Sequence, residues 1–257
     1  MKNDKKTKTI FLIVLLLSCL NYVFSQNVFE EFRNNFLTSL VSAFNRDLTG
    51  VVCSNVLNRG EDLGLFKALP PSLGVDIKVV ATGKKISNDN LIIRNSFKDL
   101  NYILPFLSLQ LEKGLPYGID LILRYSGFDN FSFFGGGLKY KIISLPPMAP
   151  AVDIAVAGFY NILDAKDILK HTSQSANLII SVNKIPVIKP YIVAGIDSSE
   201  LNVDKKVIQG GLTNKFSSDL RYELGLSISV FPFLYLDVSY SYIYNTEGYS
   251  LKLGLKF

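Results

Sequence analysis

Apolar and polar residues alternate strictly over the last long segments of the chain. Hydrophobic residues make up 48%, yet no stretch beyond the leader has the roughly 18 consecutive apolar residues of a spanning helix. Short proline-bearing turns alternate with longer polar connections. Together these predict an all-β fold: a membrane-spanning, antiparallel, up-and-down β-barrel of about 10 strands (8–12) with an N-terminal amphipathic helix as plug or periplasmic cap. The expected organisation is a signal peptide over 1–25, a helix and connector over 26–72, and the barrel over 73–257.

At 257 residues the chain suits one undivided all-β domain. The net charge of +5 is inflated by leader lysines, among them Lys2, Lys5, Lys6 and Lys8, so it gives no reason to expect a nucleic-acid partner. The 13 Tyr and 18 Phe suit the aromatic girdles of a membrane barrel, and Trp is absent.

Lys2 to Lys8 followed by the short apolar run Ile10 to Leu17 reads as a secretory signal peptide, with Val23, Phe24 and Ser25 ahead of a mature Gln26. Leu16, Leu17, Ser18 and Cys19 also loosely match a lipoprotein box, which would leave a lipidated Cys19. Cleavage after Ser25 would leave Cys53 as the one mature cysteine, unable to form an internal disulfide. Phe29, Phe32, Phe36, Leu40 and Phe44 recur at helical spacing and predict a helix over Asn27 to Arg46, ended near Gly50. Val51 to Pro71 follows as an irregular connector.

The first strand is expected over Val75 to Ala81, then a polar loop from Lys84 to Leu100 and a strand from Tyr102 to Leu111. Beyond a turn at Glu112 to Pro116, the row Tyr117, Ile119, Leu121, Leu123 and Tyr125 faces lipid while Asp120 and Arg124 face inward. Phe131 to Ile143 turns Phe134, Leu138, Tyr140 and Ile142 outward and Lys139 and Lys141 inward. Its Gly135, Gly136 and Gly137 read as a bend or a close approach in the lumen, since no helix start or P-loop lysine follows. Asp153 lies on the inner row of Ala151 to Ile162. Strands follow over Asn177 to Asn183 and Val187 to Ile196, with a long polar connection at Ser198 to Ser218. Leu220, Tyr222, Leu224, Leu226, Ile228 and Val230 then oppose Arg221 and Glu223, and Leu234, Leu236, Val238, Tyr240, Tyr242 and Tyr244 oppose Asp237. The last strand sets Tyr249, Leu251, Leu253, Leu255 and Phe257 against Ser250, Lys252, Gly254 and Lys256.

A chain that stops on an aromatic residue after such a strand resembles bacterial outer-membrane β-barrels. The resemblance implies the cell outer membrane as location, with outer-membrane lipid as surroundings and Phe257 as a C-terminal signal to the barrel-assembly machinery. It also implies that the end carrying Phe257 faces the periplasm, which puts the proline-bearing turns there and the long polar connections outside. The N-terminal helix, the glycine-containing connector and the terminal Phe are also distantly similar in layout to long-chain fatty-acid transporters, and no functional residue carries over.

The lumen-facing set is expected to include Asp120, Arg124, Lys139, Lys141, Asp153, Arg221, Glu223 and Asp237, either paired as a polar core or lining a pore. No catalytic residue, metal or cofactor is expected, and with one histidine and no mature cysteine pair a usual zinc site is excluded. The expected function is non-enzymatic: passive passage of a small solute, an apolar one included, or an envelope-structural role. The alternatives are an outer-membrane enzyme using His171 in an outward loop with Asp164 or Asp167, and a lipid-anchored periplasmic β-sandwich.

Overall fold

A computed structural model describes residues 40–54, 56–64, 73–94, 101–128, 131–144, 152–182, 187–208, 210–231 and 233–257. The leader, most of the helix expected over Asn27 to Arg46, and the turns at Leu145 to Pro150 and Lys184 to Pro186 lie outside these residues.

Ten strands form one closed antiparallel barrel: β1 (Val75–Lys85), β2 (Ile103–Gly114), β3 (Ile119–Phe128), β4 (Phe131–Ser144), β5 (Val152–Ala165), β6 (Leu169–Val182), β7 (Ile188–Val203), β8 (Leu212–Phe231), β9 (Leu234–Ile243) and β10 (Thr246–Lys256). Each strand pairs with its sequence neighbours, and β1 closes the wall against β10 from Asp76↔Lys256 to Lys84↔Gly248. Closure leaves no free edge, which is what a strand-built membrane span requires. Among the described residues two α-helices accompany the wall: α1 (Val41–Cys53), inside the barrel, and the short α2 (Leu91–Arg94) after β1.

Alternation puts the apolar rows on the outside. Leu109, Leu121, Leu123, Ile180, Ile192, Leu224, Leu226, Leu251 and Leu253 are all exposed, with Tyr125, Phe134, Tyr160, Tyr222, Tyr240 and Tyr249 toward one rim and Phe231, Phe233 and Phe257 toward the other. A belt of exposed aliphatic side chains with aromatic rims would be costly in water and is stable in lipid. The inner rows are polar: Ser173, Ser175, Asn177, Ser181, Ser239, Ser241 and Ser250 are buried alongside the charged residues described below.

Three strands run further than their alternation suggested. β6 begins at Leu169 rather than Asn177, and β7 and β8 continue through most of the connection expected from Ser198 to Ser218, β7 to Val203 and β8 from Leu212. Both faces of these extensions are polar enough to hide the period of two: Lys170, Thr172 and Gln174 face out while His171, Ser173 and Ser175 face in. Register slips by one between Asp197 and Ser199, a bulge that leaves Asp219 exposed.

The two ends of the barrel differ. Val75 and Phe257 exchange backbone hydrogen bonds of 3.0 and 2.8 Å, so both chain ends of the wall meet at one rim, the Phe257 end. At the opposite rim, the loop end, lie 86–94, 101–102, 204–208 and 210–211. There β9 and β10 are joined by Tyr244 and Asn245, both with positive φ (49° and 66°), the pattern of a type I′ hairpin. Tyr244 therefore does not continue the lipid-facing row as alternation predicts. It is 4% exposed and its hydroxyl donates to Asp197.

Inward aromatic rings lie on glycines of the neighbouring strand. Tyr191 covers Gly225, Tyr235 covers Gly254 and Phe159 covers Gly137, each pair directly opposed in register. A Cβ on any of the three would fall inside the facing ring. Gly137 thus belongs to the expected close approach in the lumen, and its partner is a wall aromatic. Gly225→Ala is expected to lower the unfolding free energy by about 1–3 kcal/mol through overpacking. Urea titration in lipid vesicles checks this, and an unchanged midpoint would show that Tyr191 has room to move.

A plugged lumen as the candidate functional site

The helix is a buried element. In α1 only Ser42 is exposed and Arg46 half-buried, and the other residues have no access to solvent or nearly none. A helix buried all round belongs inside something, and here it fills the loop-end half of the lumen. Val41, Phe44, Leu48, Val51 and Val52 pack against Ile93, Leu104, Phe106, Phe133, Leu163, Leu169, Leu201 and Val203 of the wall and the α2 region. The expected boundaries shift: the helix runs to Cys53, past Arg46, and Gly50 sits within it rather than after it. Gly50 is there because the helix approaches the wall closely; a Cβ would lie 2.7 Å from the Lys84 side chain and 2.8 Å from Ile243.

Three polar residues on α1 dock into the wall. Asp47 accepts hydrogen bonds from Lys84 Nζ (2.5 Å), the Ser87 amide (3.0 Å), the Ser87 hydroxyl (2.6 Å) and Asn90 Nδ2 (2.7 Å). Asn45 Nδ2 donates to Asn214 Oδ1 at 3.0 Å. Thr49 lies 3.0 Å from His171 Nε2 and 2.5 Å from the Ser199 hydroxyl. Past the last turn, Arg124 donates to the Val52 carbonyl at 2.8 Å, a cation at the negative end of the helix dipole.

Beyond Ser54, residues 56–64 lead toward the Phe257 end. Gln110 donates to the Val56 carbonyl (3.2 Å), Lys252 to the Leu57 carbonyl (2.8 Å) and Lys78 to Asn58 Oδ1 (3.3 Å). Arg59 pairs with Asp76, the Leu63 amide donates to Asp120 (3.0 Å), and Asp62 pairs with Lys141. The plug is thus α1 together with 54–64.

The wall charges are largely neutralised by one another. Lys139 lies 2.5 Å from Glu112 and 2.8 Å from Asp120, and Lys78 lies 3.2 Å from Glu112. Lys252 lies 3.3 Å from Glu223 and 3.2 Å from Asp237, with Tyr191 donating to Asp237 at 2.7 Å. Arg221 clamps Asp197 through Nε at 2.9 Å and through a second nitrogen at 3.0 Å. Taking such charges out of water is costly, and that cost is offset only when every charge has close partners.

All eight residues expected to face the lumen point into it, although they do not converge on one site. Asp120 and Lys139 share one cluster, Glu223 and Asp237 another, Arg221 stands with Asp197, and Lys141 reaches the plug's Asp62. Asp153 accepts from Ser144 near the Phe257 end, and Arg124 has no carboxylate partner among the described residues, only the Val52 carbonyl and the Phe133 ring 5.1 Å from its guanidinium. Sequence reading missed the plug's own contributors, Asp47, Arg59, Glu61 and Asp62. Nothing in their spacing marks them, because they lie on a helix and an irregular segment matched to strands distant in sequence.

His171 is not in an outward loop. It lies on β6, opposite Leu163 of β5, and is fully buried against Thr49. Asp164 faces outward on β5 and Asp167 lies in the β5–β6 turn, 2.6 Å from Lys206. Neither carboxylate stands beside the imidazole, so the general-base arrangement is not formed. Among the described residues no group of three or more His, Cys, Asp and Glu could hold a metal ion, and the free Cys53 is buried.

At the Phe257 mouth, Glu61 of the plug lies 3.1 Å from Lys189 and 3.3 Å from Lys256. Burial alone would raise its carboxyl, but Lys256, Arg59 and Lys189 together hold it well below the usual carboxylate range. A depressed folded value means that this contribution to stability is present above the unfolded value of about 4.3 and is lost as pH falls below it. Glu61→Gln is therefore expected to cost about 1–2 kcal/mol at neutral pH and progressively less below about pH 4. Unfolding midpoints of the two proteins across pH check this; a difference independent of pH would contradict it.

Closed topology, an even strand number, an apolar outer belt and a polar interior define a transmembrane β-barrel of the outer-membrane class. The chain belongs to DUF6588, described as a family of unknown function, whose sequence pattern covers residues 71–257. No curated protein matches the sequence. Among solved structures it is similar to the Neisserial surface protein A (18% identity, TM-score 0.29, covering 71% of this chain and 97% of that one). It is also similar to the N-terminal β-barrel domain of Pseudomonas aeruginosa OprF (12%, 0.33, 71% and 97%) and to the KdgM porin (8%, 0.36, 71% and 99%). The β-sandwich alternative is excluded by the single closed sheet.

Proposed function

We propose that the protein is a non-enzymatic outer-membrane barrel, sealed in this conformation, with an envelope-structural role. The observation that carries this reading is the plug: α1 and 54–64 occupy the lumen and bond to the wall at successive levels from Asp47 to Leu63. A barrel of about eight strands is filled by its own side chains, and ten strands leave room for about one further segment, which the plug supplies.

A second reading, passage of a small solute, requires the plug to leave. The inner rows are polar, so the solute favoured by such a path is polar rather than apolar. Planar-bilayer conductance separates the readings. The full mature chain is expected to give no steps, and steps from it would overturn the sealed state. If a chain lacking 40–64 folds as a barrel and conducts, passage becomes the better reading; if it folds and stays silent, the structural role stands.

A further inference from the structure

The direction in which the plug runs has a topological consequence. Val41 belongs to the apolar cluster of the loop end, against which Leu40, Tyr102, Ile168, Val207, Ile208 and Leu212 pack. Beyond the helix, which ends at Cys53, Glu61 and Asp62 bond to Lys256, Lys189 and Lys141 at the Phe257 end. The chain then enters β1 at Val75, whose amide bonds to Phe257 at that same rim.

Between the two mouths the plug bonds to β1 through Lys84 and Asp76, to β2 through Gln110, to β3 through Arg124 and Asp120, to β6 through His171 and to β10 through Lys252. These bonds hold the plug to five strands of the closed wall from one mouth to the other. The loop end also has the character of a rim that stands clear of lipid. β5 to β8 extend there beyond the apolar belt with Lys170, Gln174, Glu200, Asn202 and Lys215 facing out, and the longer connections 86–102 and 204–211 lie on that side. Short turns on the periplasmic side and longer connections outside are the ordinary asymmetry of these barrels.

We propose that the chain is threaded through its own barrel: polypeptide ahead of Leu40 stands at the exterior face, and the lumen is crossed from outside to periplasm before the first strand begins. The barrel then displays an N-terminal arm at the cell surface, a property independent of whether it ever conducts.

Epitope tags read by antibody on intact and on permeabilised cells test this. One tag is inserted between Asn34 and Asn35, one between Lys205 and Lys206, and one between Met148 and Ala149 in the connection joining β4 to β5 at the Phe257 end. The expected result is that the first two are read on intact cells and the third only after permeabilisation. An Asn34 tag read only together with the Met148 tag would overturn the threading. A Met148 tag read on intact cells, with the Lys205 tag hidden, would overturn the exterior assignment. Heat-modifiable migration verifies that each tagged chain forms its barrel, and insertion between Asn27 and Val28 replaces the first position if it does not.

Discussion

Replacing Lys139 with Met is expected to lower the unfolding free energy by about 3–5 kcal/mol, among the largest effects of any single substitution in the wall. The ammonium is buried between Glu112 at 2.5 Å and Asp120 at 2.8 Å, and its loss leaves two carboxylates in the lumen with too little positive charge. Lys78 at 3.2 Å still serves Glu112, and the Leu63 amide still serves Asp120, so the barrel should fold but unfold at lower urea. Combining Lys139→Met with Asp120→Asn should recover part of the loss, because the second change removes a charge that the first left unpaired. Urea titrations of the single and double variants in vesicles check both points. A loss below about 0.5 kcal/mol would mean that the lumen admits water to this cluster.

Asp47→Ala acts on the other mouth, with a comparable expected cost of about 3–5 kcal/mol. Asp47 gathers four hydrogen bonds from Lys84, Ser87 and Asn90, so its removal leaves a buried lysine without its carboxylate and frees the segment that leads into α2. Two readouts should move together: the urea midpoint falls, and added protease cuts the chain between Ile86 and Arg94 while the strands stay intact. A midpoint shift without new cleavage would show that Asp47 holds Lys84 alone and leaves the loop-end segment docked.

Strand positions were legible where one face is apolar and the other polar. β8, β9 and β10 announce themselves because Leu224, Val238 and Leu253 alternate with Glu223, Asp237 and Lys252. The reading failed where that contrast fades. In Leu169 to Ser175 the outer row meets water and the inner row is rich in serine, so His171 looked like a loop residue although it lies in an unbroken strand. Of the helix expected from a period of three to four, only 41–46 overlaps the observed one, and its burial was not legible because Asn45, Asp47 and Thr49 find their partners in Asn214, Lys84 and Ser199, all far away in sequence. The eight inward charges follow from parity alone. Their partners do not, because pairing of Lys252 with Glu223 or of Arg59 with Asp76 depends on stagger and on the plug's path, which a period of two leaves open.

The seam between β1 and β10 also sets an order of events. Asp76 finds Lys256 across nearly the whole length of the barrel sequence, whereas every other pair of neighbouring strands is consecutive in the chain, the longest connection being 86–102. Joining the first and last strands carries the largest loop-closure entropy, so it should come late and limit the folding rate. Until then both edges stand open, able to pair with another chain. The plug precedes β1 in the sequence and is enclosed by the finished wall, so it is best placed before the seam shuts. A curling sheet that already holds α1 against Lys84 and Arg124 has its two edges drawn toward each other, and the segment that blocks the finished lumen would then also act as the template around which the wall closes.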